Sequence, residues 1–272
     1  MKVFVIDIAR CNGCYNCQIA CKDEHVGNDW TPYAKPQPDT GHFWMGMTEL
    51  TRGTVPKVMM TFIPKMCLHC DEAPCIAACK AGAIYKRDDG LVIIDPTKCT
   101  GDGMCAEACP HGAIYFNKDL NISQKCTGCA HLLDNDEDLK LPRCVDACPN
   151  GALKFGEESE FQDAISKAEL LNPKVDTKPR VHYLNPPRKW VAGTVYDPQE
   201  EEVVIGATCT LTDKKKNGKT FTVETDHFGD FWFRGLDDNH SFSLTLKKDG
   251  KQKVIAPITT DEDRNLGDIP LV

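Results

Sequence analysis

Hydrophobic and polar positions alternate along the last third of the chain, in WVAGTVYD, GATCTLTD, KTFTVETD, DFWFRGLD, SFSLTLKK and KVIAPITT. Turn-forming residues separate these runs every 8 to 12 positions or so, the pattern of short strands in an all-β fold. An antiparallel β-sandwich is expected over 190–272. The first part of the chain carries a repeat instead. CIAACKAGAIYK (75–86), CAEACPHGAIYF (105–116) and CVDACPNGALKF (144–155) share Cys, two residues, Ala, Cys, two residues, Gly, Ala, then Ile or Leu, and CQIACK (17–22) is a shorter copy. Each full copy predicts a short helical turn at the paired cysteines, a chain reversal at glycine and an apolar strand start. After the first copy, KRDDG leads into LVIID, with Asp89-Gly90 as the turn of a hairpin.

These patterns predict an α+β domain over 1–172 with a large insert at 22–66, a linker at 173–189, and the β-sandwich at 190–272. The linker is marked by NPKVDTKPRVHYLNPPRK, which carries four prolines and several charges. A length of 272 residues, 41% hydrophobic and 26% charged, suits an ordinary soluble protein of two domains. The formal charge of -8 is shared: residues 1–185 carry 20 basic and 25 acidic side chains, and 186–272 carry 12 and 15. Neither part has the positive surplus of a nucleic-acid binder. The opening apolar run, VFVI, falls short of the roughly 7 to 15 residues of a secretory signal. No run approaches the roughly 18 to 20 residues that cross a bilayer. The expectation is a soluble protein without its own signal peptide or membrane span, or one held at a membrane through a partner.

Sixteen cysteines change the picture, because fifteen of them lie between 11 and 148 in tight clusters. Close neighbours do not staple distant loops, so a disulfide framework is a poor reading. Set one is Cys11, Cys14, Cys17 and Cys21; set two is Cys67, Cys70, Cys75 and Cys79; set four is Cys126, Cys129, Cys144 and Cys148. In set three, Cys99, Cys105 and Cys109 are joined by Asp102 where a fourth cysteine would stand. The C-x2-C-x2-C-x3-C spacing suits iron-sulfur clusters: a tight loop aims three thiolates at one cube while the fourth reaches a neighbouring cube. A tetrahedral zinc site instead takes two pairs separated by a longer loop, and has no use for four thiolates within eleven residues.

With these motifs, and with KCTGCAHLLD and LPRCVDACPNGAL around the last, residues 1–160 resemble the four-cluster ferredoxin subunits of molybdopterin oxidoreductases of the dimethyl sulfoxide reductase type. With the sandwich included, the chain is most similar to the small subunits of pyrogallol-phloroglucinol transhydroxylase, resorcinol hydroxylase and catechol dehydroxylase. The resemblance implies a tandem bacterial-type ferredoxin fold followed by a transthyretin-like or carboxypeptidase-regulatory-like sandwich. It also implies that motif one pairs with four and motif two with three. Cys11, Cys14 and Cys17 would then share a cluster with Cys148, and Cys126, Cys129 and Cys144 with Cys21. Cys67, Cys70 and Cys75 would join Cys109, and Cys99 and Cys105 would join Cys79, with Asp102 at the remaining corner. The first of these clusters is expected nearer the pterin and the Asp102 cluster at the outer end.

Expected cofactors are three 4Fe-4S clusters and a fourth that is either an Asp102-ligated 4Fe-4S or a 3Fe-4S cluster. A carboxylate is a harder ligand than a thiolate, yet it can occupy a corner; otherwise Asp102 merely shapes the Gly101-Asp102-Gly103 turn. The expected partner is a large molybdenum or tungsten pterin subunit in a heterodimer or a multiple of it, with an external electron donor or membrane anchor as a further possibility. No residue of this chain is assigned a bond-breaking role. A phenolic substrate in the partner is the leading expectation; arsenate, thiosulfate or polysulfide reduction, or a free-standing polyferredoxin, are the alternatives. The compartment is the cytoplasm, or beyond it by export with a partner bearing a twin-arginine signal.

Other residues carry weaker signals. His69 and His131 neighbour complete thiolate sets and suit surface or sulfur-shell hydrogen bonding, while His25, His42 and His111 have less claim. Trp30, Tyr33, Phe43, Trp44, Met45, Met47, Met59 and Met60 in the insert suit either a partner interface near motif one or internal packing. Cys209 is expected as a small buried hydrophobe.

Overall fold

The computed structural model describes residues 1–135, 139–215 and 218–272, and is rich in strands with few, short helices. It divides into two compact units, one of residues 1–50 and 61–186, the other of 51–60 and 187–272.

In the first unit the strand Lys2–Asp7 lies between Leu153–Glu157, antiparallel to it, and Val181–Leu184, parallel to it. Both faces are covered, so Val3, Phe4, Val5 and Ile6 are all buried and the strand reads as a continuous apolar run. Pairing Ile6 with Leu153 brings the chain just before motif one to the chain just after motif four. Two hairpins follow the middle repeats: Ile84–Lys86 with Val92–Ile94, and Tyr115–Asn117 with Ile122–Gln124. The first turns through Asp89 and Gly90, where Gly90 takes a φ of 93° and the Asp89 carboxylate accepts the Leu91 N–H.

Each cysteine repeat forms a short helix, at Asn16–His25, Pro74–Ala78, Met104–Ala108 and Arg143–Asp146. The first packs on the fourth and the second on the third. After each full repeat the glycine N–H (Gly82, Gly112, Gly151) bonds the carbonyl of the last cysteine (Cys79, Cys109, Cys148), and each glycine has positive φ. The repeat is thus one local unit used several times.

The second unit is a sandwich. One sheet orders Glu202–Val203, Lys189–Asp197 and Asp230–Leu236, with Arg264–Pro270 also on Lys189–Asp197; the other orders Thr220–Glu224, Thr208–Asp213, Ser241–Lys248 and Lys251–Thr259. Their inner faces share a core that includes Val191, Val195, Phe231, Leu211, Leu244 and Leu246. Cys209 is fully buried within it.

Several sequence expectations need correction. The sandwich is not wholly antiparallel, because Arg264–Pro270 runs parallel to Lys189–Asp197. That strand, RNLGDIP, lacks hydrophobic alternation and gave no signal. The segment 173–189 is not a free linker: Val181–Leu184 is a strand of the first unit's sheet and Arg180 is buried. The insert 22–66 is not confined to the first unit, since 51–60 belongs with the second. Within it, Trp44 and Met45 are buried and Trp30, Tyr33 and Met47 are partly buried against the same core, the internal-packing alternative for these residues.

Candidate metal centres

The four motifs share one backbone device. The residue preceding the second ligand position is left-handed in every copy: Gly13 (φ 71°), His69 (47°), Gly101 (75°) and Gly128 (65°). This sharp reversal lets a C-x2-C loop direct both side chains to one side. Glycine tolerates it freely; His69, bearing a Cβ, is held there by full burial and by a bond from the Val92 N–H to its Nδ1 at 3.0 Å.

All sixteen thiols are free of disulfides. Fifteen fall into groups, traced by which thiolate charges reach which thiol. Cys17 is pushed up to about 12 by burial first, then by Cys11, with Cys148 and Cys14 adding to it. The same four line one cavity. Cys144 is raised by burial, then by Cys129, Cys21 and Cys126. Cys75 is pushed up to about 12 by burial, with Cys67, Cys109 and Cys70 adding to it, and these four line one cavity. Cys105 is raised by burial, and further by Cys99, Cys79 and the carboxylate of Asp102.

The groups form a series. Cys17 and Cys21 lie on one helix but in different groups, and Cys144 feels Cys17. Cys126 feels Cys67, linking the second group to the third. Helix Pro74–Ala78 then separates Cys75, in the third, from Cys79, in the fourth. The order along the protein is therefore Cys11/14/17/148, Cys21/126/129/144, Cys67/70/75/109 and Cys79/99/105 with Asp102. Exposure follows the same order: all four thiols of the second group are buried, while Cys14 and Asp102, at the two ends, are exposed.

Asp102 matches Cys14 closely. Cys11, Cys14, Cys17 and Cys21 have the same spacing as Cys99, Asp102, Cys105 and Cys109. Left-handed residues flank both positions, Gly13 and Tyr15 (63°) in one and Gly101 and Gly103 (71°) in the other. The same turn bond follows: Gln18 N–H to Tyr15 O at 2.9 Å, and Ala106 N–H to Gly103 O at 3.0 Å. The Asp102 carboxylate also accepts the Met104 N–H at 3.2 Å, which uses one lone pair of one oxygen.

These donors fit iron-sulfur clusters. The thiols are soft ligands arranged around cavities, and among the described residues no three His, Cys, Asp or Glu converge on a single ion. Hydrogen-bond donors already address the sulfurs: Gly128 N–H to Cys126 at 3.3 Å, Ala152 N–H to Cys148 at 3.3 Å, Ser123 N–H to Cys99 at 3.5 Å and Thr177 Oγ1 to Cys70 at 2.9 Å. Burial raises the thiols of Cys21, Cys126, Cys129 and Cys144, so ligation in the second group displaces protons.

Thr177 escaped the sequence reading because it lies 107 residues from Cys70. His111, which the sequence marks only weakly, bonds Thr177 Oγ1 through its Nε2 at 2.9 Å and so reaches Cys70 through one hydroxyl. His69 and His131 are buried, not on the surface, and His131 Nε2 bonds Glu24 at 3.1 Å. His25 and His42 make ring contacts with Trp44 and Tyr115.

Comparisons with known proteins agree with this chemistry. Residues 58–158 match a family profile described as a 4Fe-4S dicluster domain. The chain is 36% identical to the pyrogallol hydroxytransferase small subunit of Pelobacter acidigallici, over 98% of both chains. It is 38% identical to a subunit of the sulfite dehydrogenase of Allochromatium vinosum, over 68% of this chain and 82% of that one. It is 41% identical to the arsenate respiratory reductase iron-sulfur subunit of a Shewanella species, over 42% of this chain and 44% of that one.

Proposed function

This chain is an electron-transfer iron-sulfur subunit and belongs to the family that includes the pyrogallol hydroxytransferase small subunit; from that premise we propose that it serves a separate large molybdenum or tungsten pterin subunit acting on catechol- or pyrogallol-type phenols. The carrying observation is the graded series of thiol groups, exposed at its ends and buried in its middle. Such a series insulates electrons from solvent while leaving an entry and an exit. When bound, the clusters supply one-electron carriage. The polypeptide's part is to hold them in order and to set their potentials through ligand type, hydrogen bonds to sulfur and exposure.

Four clusters are proposed, in the ligand groups given above. Asp102 is proposed as the fourth ligand of its group, supported by its backbone equivalence with Cys14. The Cys14 end is proposed to face the pterin subunit and the Asp102 end an external redox partner. The C-terminal unit is proposed as a transthyretin-like docking module. A phenolic partner substrate is favoured because similarity to the pyrogallol enzyme's subunit spans both units, whereas that to the arsenate reductase subunit covers 42% of the chain.

The test is anaerobic co-expression with a candidate large molybdenum or tungsten pterin subunit. A stable complex with about sixteen irons per small subunit, whose clusters change oxidation state on adding a pyrogallol-type phenol, is expected. A zinc-loaded chain, or clusters that answer only to arsenate or a sulfur oxyanion, would overturn the corresponding part of the proposal.

A further inference from the structure

One buried cation has no counter-charge among the described residues. Lys125 is 2% exposed, and its ammonium is held by the carbonyl oxygens of Val92 and, at 3.0 Å, of Cys126. Both partners are neutral carbonyls; among the described residues no carboxylate pairs with Lys125. An ammonium taken out of water without an opposing charge is costly, and proteins tolerate it where an anion is regularly present.

The surroundings point to that anion. Val92, whose carbonyl holds Lys125, lines the cavity of Cys67, Cys70, Cys75 and Cys109. The same residue's N–H is donated to His69 Nδ1, which leaves the ring proton on Nε2. That Nε2 is buried and without a hydrogen-bond partner. The buried ammonium is thus anchored on a residue that lines this thiol group. The Lys125 ammonium also lies close enough to Cys75 of that group to act on it electrostatically.

We propose that Lys125 is the fixed counter-charge of the third group in the series, a positioning residue that raises the potential of the cluster bound by Cys67, Cys70, Cys75 and Cys109 and so makes it an electron-accepting step between its neighbours. The inference rests on the cluster assignment given above. A cube held by four thiolates gains a further negative charge on reduction, and a nearby fixed cation stabilises that state more than the oxidised one. Its direct hydrogen bonds to Val92 and Cys126 hold the ammonium in place, so the charge acts without reorganisation.

Three variants of the intact complex test this by EPR-monitored redox titration, with iron analysis alongside. Lys125→Gln keeps a hydrogen-bond donor but removes the charge, Lys125→Met removes both, and Lys125→Arg restores the charge. The expected result is full iron content in Lys125→Gln with one midpoint lowered by a tenfold or larger change in the reduction equilibrium, about 59 mV for one electron. Lys125→Met should match it and Lys125→Arg should return near the parent value. Unchanged midpoints in iron-replete Gln and Met variants would overturn the proposal. Loss of four irons in Gln but not in Arg would support it, because the charge would then be holding the cluster itself. Equal loss in all three would overturn it, since shape alone would be at issue. Zinc or an iron-free chain in the parent protein would instead defeat the cluster assignment, and is read from the same metal analysis.

Discussion

The hydrogen bond from Thr177 to Cys70 offers a direct measure of how this polypeptide sets a potential. At 2.9 Å, from a hydroxyl that is itself engaged by His111 Nε2 at 2.9 Å, it is well formed and shielded, with Thr177 8% exposed. A hydrogen bond contributes about 0.5–1.5 kcal/mol to a neutral acceptor and about 1.5–3 kcal/mol to a charged one, so it strengthens by on the order of 0.5–1.5 kcal/mol when the acceptor gains negative charge. The differential of about 0.5–1.5 kcal/mol corresponds to roughly 20–60 mV for one electron. Replacing Thr177 by Val, which keeps the shape, should therefore lower one midpoint by about that amount. Thr177→Ser should restore it. The same change removes the partner of His111 Nε2, a half-buried group that water can reach, so the stability cost should stay below about 1 kcal/mol. EPR-monitored titration of the anaerobic complex gives the potentials and thermal unfolding the stability. An iron-replete Val variant with unshifted midpoints, or a Ser variant shifted as far as Val, would refute the reasoning.

Other consequences are equally open to measurement. Asp102→Cys should give an all-thiolate cube with a lower potential and no 3Fe-4S signal on oxidation; an unaltered spectrum and midpoint would remove the carboxylate from the ligand set. Gly101→Ala drives a Cβ into the Asn121 carbonyl oxygen at a φ of 75°, so one cluster's worth of iron should be lost, and an iron-replete variant would contradict the backbone argument. Burial, followed by the charge of His131, holds His25 at about 3. As pH falls from about 6.5 toward 3 the unfolded chain takes up a proton the folded one refuses, so stability is full above about 6.5 and is lost below it by up to ~1.4 kcal/mol per pH unit. His25→Gln should remove that part of the slope in thermal unfolding between pH 7 and 5.5, and parallel slopes would exclude it.

The repeat CxxAC–xxGA was legible from the sequence because its parts are local. A helical turn, a left-handed glycine and a strand start each depend on residues within one copy, and the structure repeats them at Pro74–Ala78, Met104–Ala108 and Arg143–Asp146. The alternation of SFSLTLKK and TCTLTD was readable for the same reason, since a strand with one buried face shows a period of two. RNLGDIP was not, because as a parallel partner of Lys189–Asp197 it owes its conformation to pairing and not to its own pattern.

The identity of the ligating residue types, their spacing and the departure at Asp102 were determined by the sequence alone, as chemistry written in residue order. Which groups surround each cluster depends on contacts far apart in the chain: Ile6 with Leu153, Thr177 with Cys70, Lys125 with Val92. Segments that look like linker, such as 173–189, acquire their roles only when the sheet closes over them. The physical reason is that a thiolate's affinity for iron is intrinsic to the side chain, whereas the potential of the cluster it helps to hold is set by burial, hydrogen bonds and fixed charge, all of which are made by tertiary packing.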